Sequence, residues 1–143
     1  MMHVTDYFSV EMSEDSINAV SNLGLAHLGD AVYELMVRTW LCKEGHVRSA
    51  ELHRLTVRHV SAPAQARAAE SILPILDDTE RGVYKRGRNT RVNSVPSRAT
   101  IGEYHAATGL EALFGWLYLH GRTERLNELF DIIVREEKTT DAT

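Results

Sequence analysis

LGLAHLGDAVYELMVRTWL, residues 23–41, sets apolar side chains at Leu25, Leu28, Val32, Leu35 and Met36, with Val20 and Ala31 extending the stripe. Steps of three and four mark one face of a helix; a strand would alternate. Ser21 or Asn22 is the N-cap candidate, and Lys43 and Gly45 suit the far end. The same spacing continues outward. A second helix fits about 47–60, with Val47, Leu52, Leu55 and Val60 apolar. Ser61 then caps a third, which carries Pro63 in its first turn, Ala64, Ala66, Ala68, Ala69, Ile72 and Leu73 along its length, and Pro74 at its end. Asp77 with Glu80 reads as a capping box that opens a fourth helix through about Arg86.

Residues 87–99 (GRNTRVNSVPSRA) gather helix breakers and read as the one long loop. Thr100 and Glu103 form a second capping box, opening a helix to about Leu119; Gly121 breaks it. Thr123 starts a last amphipathic helix with Leu126, Leu129, Ile132 and Ile133 on one side. No segment has strand spacing, so the fold class is all-α. The expected organisation is an acidic N-terminal segment over 1–20, one helical domain over 21–137, and a polar, frayed tail over 138–143.

A chain of 143 residues is the size of one domain. Its single cysteine, Cys42, excludes an internal disulfide framework and any zinc site needing two thiolates from one chain. It is expected to be a small helix residue. No apolar run approaches the roughly 20 residues of a membrane span, and MMHVTDYFSV lacks the basic start of a signal peptide. A cytoplasmic protein with no membrane partner is expected. The seven histidines lack metal-ligand spacing, His46, His53 and His59 standing seven and six apart, so structural or surface roles fit them. Gly24 and Gly29 are expected to let another helix approach closely.

The net charge of −4 argues at first against nucleic acid, but its distribution reverses that. Residues 1–20 carry four acids and no Lys or Arg. Residues 81–102 carry six bases (Arg81, Lys85, Arg86, Arg88, Arg91 and Arg98) and no acid. A stretch of this kind is either a solvated surface turn or a grip on phosphates. The lack of any acid favours the grip, and the scarcity of aromatic platforms favours a duplex over a stacked single strand.

Two acids interrupt apolar helices: Asp30 in LGLAHLGDAVYELMV, and Glu111 in TGLEALFGWLYL. A buried carboxylate needs compensation. One solution is a divalent cation shared by both, and Mg2+ suits hard oxygen ligands of this number. The other is an ion pair for each acid, with Arg38 or Arg54 serving Asp30. Glu34, one turn on, is expected to face solvent.

HLGDAVYEL (residues 27–35) resembles the signature helix of the ribonuclease III catalytic domain, and LEALFGWLYL (110–119) resembles its second acidic helix. The likeness is closer to the short Mini-ribonuclease III subfamily, through RGRN (86–89) and SAPAQA (61–66), and it covers about 20–136. It implies an all-α endonuclease working as a homodimer, with the Leu-Gly-Asp helix at the subunit contact and each protomer supplying one centre. Asp30 and Glu111 are then the catalytic, metal-ligating residues for Mg2+, with Mn2+ as a substitute. Lys85, Arg86, Arg88, Asn89 and Arg91 would grip the RNA, with Thr108 and Glu51 as accessory residues and Arg98 as a further base.

The implied reaction is hydrolysis of double-stranded RNA to 5′-phosphate and 3′-hydroxyl ends. The implied substrate is a precursor of large-subunit (23S) ribosomal RNA. Fuller family members carry further acids where this chain has Ala26 and Thr108, which predicts a need for millimolar Mg2+. Two alternatives are a catalytically silent RNA- or ribosome-binding module of the same fold and a helical interaction protein.

Overall fold

The computed structural model describes residues 4–90 and 99–142. Among these residues, seven α-helices and one 3-10 turn follow in order: α1 (Glu14–Asn18), α2 (Asn22–Lys43), α3 (Ser49–Val60), α4 (Ala62–Ile72), the turn Leu73–Ile75, α5 (Asp78–Arg88), α6 (Ile101–Leu119) and α7 (Thr123–Ala142). No strand occurs among the described residues, so the all-α expectation holds.

The starts of the helices are set locally. The Ser21 hydroxyl accepts from Gly24 N at 3.0 Å and Ser61 caps α4 in the same way. Both capping boxes form in full: Asp77 and Glu80 exchange bonds of 2.8 and 2.9 Å, and Thr100 and Glu103 exchange two of 3.0 Å. Gly45 and Gly121, at φ 99° and 68°, make the left-handed turns after α2 and α6, which a side chain would oppose.

The most apolar helix, α6, lies at the centre and packs against α2, α4 and α5. Leu110, Leu113, Phe114 and Leu117 are fully buried there, with Tyr33 and Val37 of α2, Ile72 of α4, Val83 of α5 and Leu129 of α7 around them. The Tyr33 ring meets Phe114 and Phe130 edge-on, at 5.2 and 5.9 Å between centroids. Each such side chain contributes roughly 1.5–3 kcal/mol on burial.

Two crossings on α6 are closer than side chains permit. A Cβ on Gly29 would stand 1.6 Å from the Glu111 carbonyl oxygen, and one on Gly115 would stand 2.1 Å from the Leu25 carbonyl oxygen. The backbones of α2 and α6 therefore touch. The expectation for Gly29 holds, with Gly115 as its counterpart. Gly24 differs: a Cβ there would meet only the Val20 and Ser21 side chains. The second crossing joins α5 to α6, where a Cβ on Gly87 would meet the Ala112 Cβ at 2.7 Å and one on Gly109 the Tyr84 carbonyl oxygen at 2.8 Å.

Other differences have local causes. Gly87 does not end α5, which runs to Arg88, because the glycine is the contact point with α6 rather than a breaker. The C-terminal segment is not frayed at 138: α7 runs to Ala142, tied down by Arg67–Glu137 (3.5 Å) and Lys138–Glu44 (2.8 Å). The acidic N-terminal segment forms the short α1, which buries Ile17 and joins Glu14 to His120 Nε2 at 2.9 Å.

The first turn of α5 is fixed to α7 through Glu80. Its side chain has no exposure and receives two Arg125 hydrogen bonds of 2.8 Å. That guanidinium holds the Glu80 carboxyl below its usual range, which compensates its burial.

Candidate active site

The contact between Gly29 and the Glu111 carbonyl decides what stands beside what. Asp30 follows Gly29 in sequence, so it leaves α2 at the crossing point; Glu111 leaves α6 at the same point. Asp30 stands close enough to Glu111 to act on its carboxyl, through hydrogen bonding and through charge. Of the two arginines that could serve Asp30, Arg38 is otherwise engaged: it bonds Glu34 at 2.7 Å, one turn along an outward stripe of α2. Among the described residues, what acts on Glu111 from α2 is an acid, Asp30, and no guanidinium acts on it.

The two acids differ in setting. Asp30 is exposed, not internal, since it falls on the polar stripe with His27, Glu34 and Arg38 although its sequence neighbours are apolar. Glu111 is half-buried. Burial pushes its carboxyl up to about 8, and Asp30 adds to this through the shared hydrogen bond and its negative charge. Gln65, on α4, acts the other way with its amide against the same carboxyl.

Two neighbouring carboxyls with no basic partner among the described residues suit a hard divalent cation, which would replace the proton between them. Among the described residues no group of three or more His, Cys, Asp and Glu surrounds such an ion. The protein donors for a cation here would be Asp30 and Glu111, with water completing the shell.

Thr108 lies one turn before Glu111 and is 5% exposed; its hydroxyl donates to the Tyr104 carbonyl at 3.0 Å. Only its lone pairs remain for a water. Ala26, at the other departure from the fuller family pattern, is buried against Leu25 and Ala112. Glu51 is not brought to the pair. It bonds His46 beyond the C-terminal end of α2, and Asp30 to Lys43 alone spans about 20 Å of helix at 1.5 Å per residue.

The basic residues sit on helix rather than loop. Lys85, Arg86 and Arg88 form the last turn of α5 and Asn89 its C-cap. Lys85, Arg86 and Asn89 are exposed; Arg88 lies over the Tyr84 ring at 5.7 Å. Gly87, among them, packs on Thr108–Ala112, so the cluster stands on the turn that touches α6 beside Glu111. Arg81 turns inward to the Leu73 and Leu76 carbonyls at 3.0 and 3.1 Å, and so helps anchor α5. Arg91 and Arg98 lie outside the described residues.

The residue missed from sequence is Gln65, which is 2% exposed. Its signal was present: with Ala68, Ala69 and Ile72 it forms the buried stripe of α4, a polar residue on an apolar face like Glu111.

A family model described as the Ribonuclease III domain matches residues 23–122. A protein of Symbiobacterium thermophilum named Mini-ribonuclease 3 is 48% identical over 107 residues, 75% of this chain and 82% of that protein. Another of that name, from a Thermoanaerobacter species, is 37% identical over 124 residues, 87% of each chain. The crystal structure of a Fusobacterium nucleatum protein superposes with a TM-score of 0.78 at 32% identity, covering 87% of this chain and 99% of that one.

The Glu111 carboxyl makes the metal-free fold pH-dependent. Its value in the fold lies above its ordinary 4.5, so folding favours the neutral form. That stability is complete below about pH 4.5 and is lost as pH rises through about 8. Urea unfolding with a chelator present is expected to show stability falling between about pH 5 and pH 8, with a shallower fall in Glu111→Gln. Equal slopes in the two proteins contradict the assignment.

Proposed function

The chain belongs to the ribonuclease III family of endoribonucleases, and from that premise we propose that it cuts double-stranded RNA with Mg2+ held by Asp30 and Glu111. The observation that carries the reading is the meeting of those two acids at the Gly29 crossing, with no basic side chain among the described residues acting on Glu111. When bound there, Mg2+ supplies a polarised water for in-line attack and charge neutralisation on the scissile phosphate; Mn2+ can replace it. Asp30 and Glu111 hold that centre in place. The products carry 5′-phosphate and 3′-hydroxyl ends.

Lys85, Arg86, Arg88 and Asn89 contact duplex phosphates, and Arg91, outside the described residues, is assigned to the same grip. The Gly87 contact supports this by setting the cluster beside the acidic pair. These contacts position a duplex without reading its sequence. Thr108 is assigned a water at the centre, and the missing acids at Ala26 and Thr108 place the Mg2+ requirement in the millimolar range.

The chain works as a homodimer, each copy cutting one strand. The exposure of Leu23 and Leu35 along α2, at 43% and 52%, supports a contact through that helix. The substrate we assign is a duplex stem in a large-subunit ribosomal RNA precursor, on the likeness to Mini-ribonuclease III. The setting is cytoplasmic; no helix among the described residues is long and apolar enough to cross a membrane.

Incubating duplex RNA with the protein, with and without Mg2+, is expected to give metal-dependent cleavage. Asp30→Asn and Glu111→Gln should each lower it by more than about 100-fold, since even outer-shell partners of a metal cost 10–100-fold. Binding without cleavage by the wild type favours the silent module; neither binding nor cleavage favours an interaction protein.

Replacing Arg86 and Arg88 together by Ala is expected to weaken RNA binding uniformly across sequences. The slope of log affinity against log salt should flatten by about 1.5–2. An unchanged slope removes those two residues from the interface.

A further inference from the structure

Glu111 has three side-chain torsions and little on its own helix to fix them. The positions one turn away on either side are Ala107, Thr108 and Gly115, with Phe114 turned into the core. Its orientation must come from other helices. Asp30 acts on its carboxyl from α2, and Gln65 acts on it from α4 through its amide.

Gln65 is buried on the alanine-rich face of α4, where leucine or methionine would satisfy the packing, and its Nε2 has no hydrogen-bond partner among the described residues. A buried donor left open in this way is costly unless a partner completes it at some stage of the protein's work. The group its amide acts on is the Glu111 carboxyl, and a carboxylate is a strong acceptor.

We infer that Gln65 is a positioning residue for the acidic centre: its Nε2–H donates to one oxygen of the Glu111 carboxylate and turns the other toward Asp30 and the cation between them. The inference rests on the reading of Asp30 and Glu111 as a cation site. An amide suits the task because it brings a directed donor without charge. A lysine or arginine in its place would neutralise Glu111 and compete with the cation. The arrangement is that of an outer-shell partner orienting a metal ligand.

The test is Mn2+ binding to the full chain, free of RNA, measured by titration calorimetry for the wild type, Gln65→Leu and Asp30→Asn, together with metal-free thermal unfolding. Gln65→Leu removes an unpartnered amide, so its metal-free Tm should equal or exceed that of the wild type. Its Mn2+ affinity should nonetheless fall about 10–100-fold. Cleavage should recover in part at saturating Mn2+, separating metal affinity from turnover.

If Gln65→Leu does not fold, Gln65→Met, unbranched and equally without a donor, takes its place. A Gln65 variant that binds Mn2+ within about twofold of the wild type overturns the inference while leaving the cation site standing. Wild-type binding that Asp30→Asn leaves intact overturns the cation site, and this inference with it.

Discussion

Everything at the centre depends on one backbone contact. With no Cβ at Gly29 or Gly115, α2 and α6 meet main chain to main chain, the Glu111 carbonyl lying where the Gly29 side chain would begin. A methyl group at either place would overlap backbone atoms, which cannot rotate aside as a side chain can. The residues flanking this contact, Asp30 and Glu111, are consequently brought together whatever their charges prefer. The second glycine contact, Gly87 on Ala112 and Gly109, does the same for the basic end of α5. Three helices thus deliver acid, acid and base to one neighbourhood through close approaches that only glycine permits.

Forcing two carboxyls together is electrostatically unfavourable, and the surroundings show how the cost is met. Glu111 keeps its proton well above the usual range, burial being the larger cause and Asp30 the next. Elsewhere the fold treats a buried acid in the opposite manner: Glu80, with no exposure at all, receives a two-pronged guanidinium from Arg125. One carboxyl is satisfied by the protein's own cation; the half-buried other has no such partner among the described residues. That contrast, within one small domain, distinguishes an acid that braces the fold from one held ready for an outside cation.

What the sequence discloses follows the range of the interaction. Caps and capping boxes act over three residues, and Ser21, Ser61, Asp77 with Glu80, and Thr100 with Glu103 are all where local chemistry puts them. The acidic pair is also legible, because a carboxylate within an apolar helix is conspicuous and two of them imply a shared solution. Glycine is harder to read. Gly87 looks like a breaker and is a contact, and Gly24 looks like a contact and faces only Val20 and Ser21, just before its own helix. The distinction depends on what lies opposite, which no local pattern encodes. Gln65 went unread because amides carry no charge to attract notice, and α1 because five residues give too short a period. The helical C-terminal segment is held by pairs such as Lys138 with Glu44, separated by 94 positions in sequence.

The central claim is that a glycine-mediated crossing builds a cation site from Asp30 and Glu111. Locating Mn2+ by its anomalous scattering in crystals of the wild-type protein tests it most directly. The account predicts an ion coordinated by the carboxylates of both Asp30 and Glu111, with the remaining ligands supplied by water. An ion bound elsewhere, in crystals whose Asp30 and Glu111 carboxyls stay bonded to each other without a metal, would contradict it.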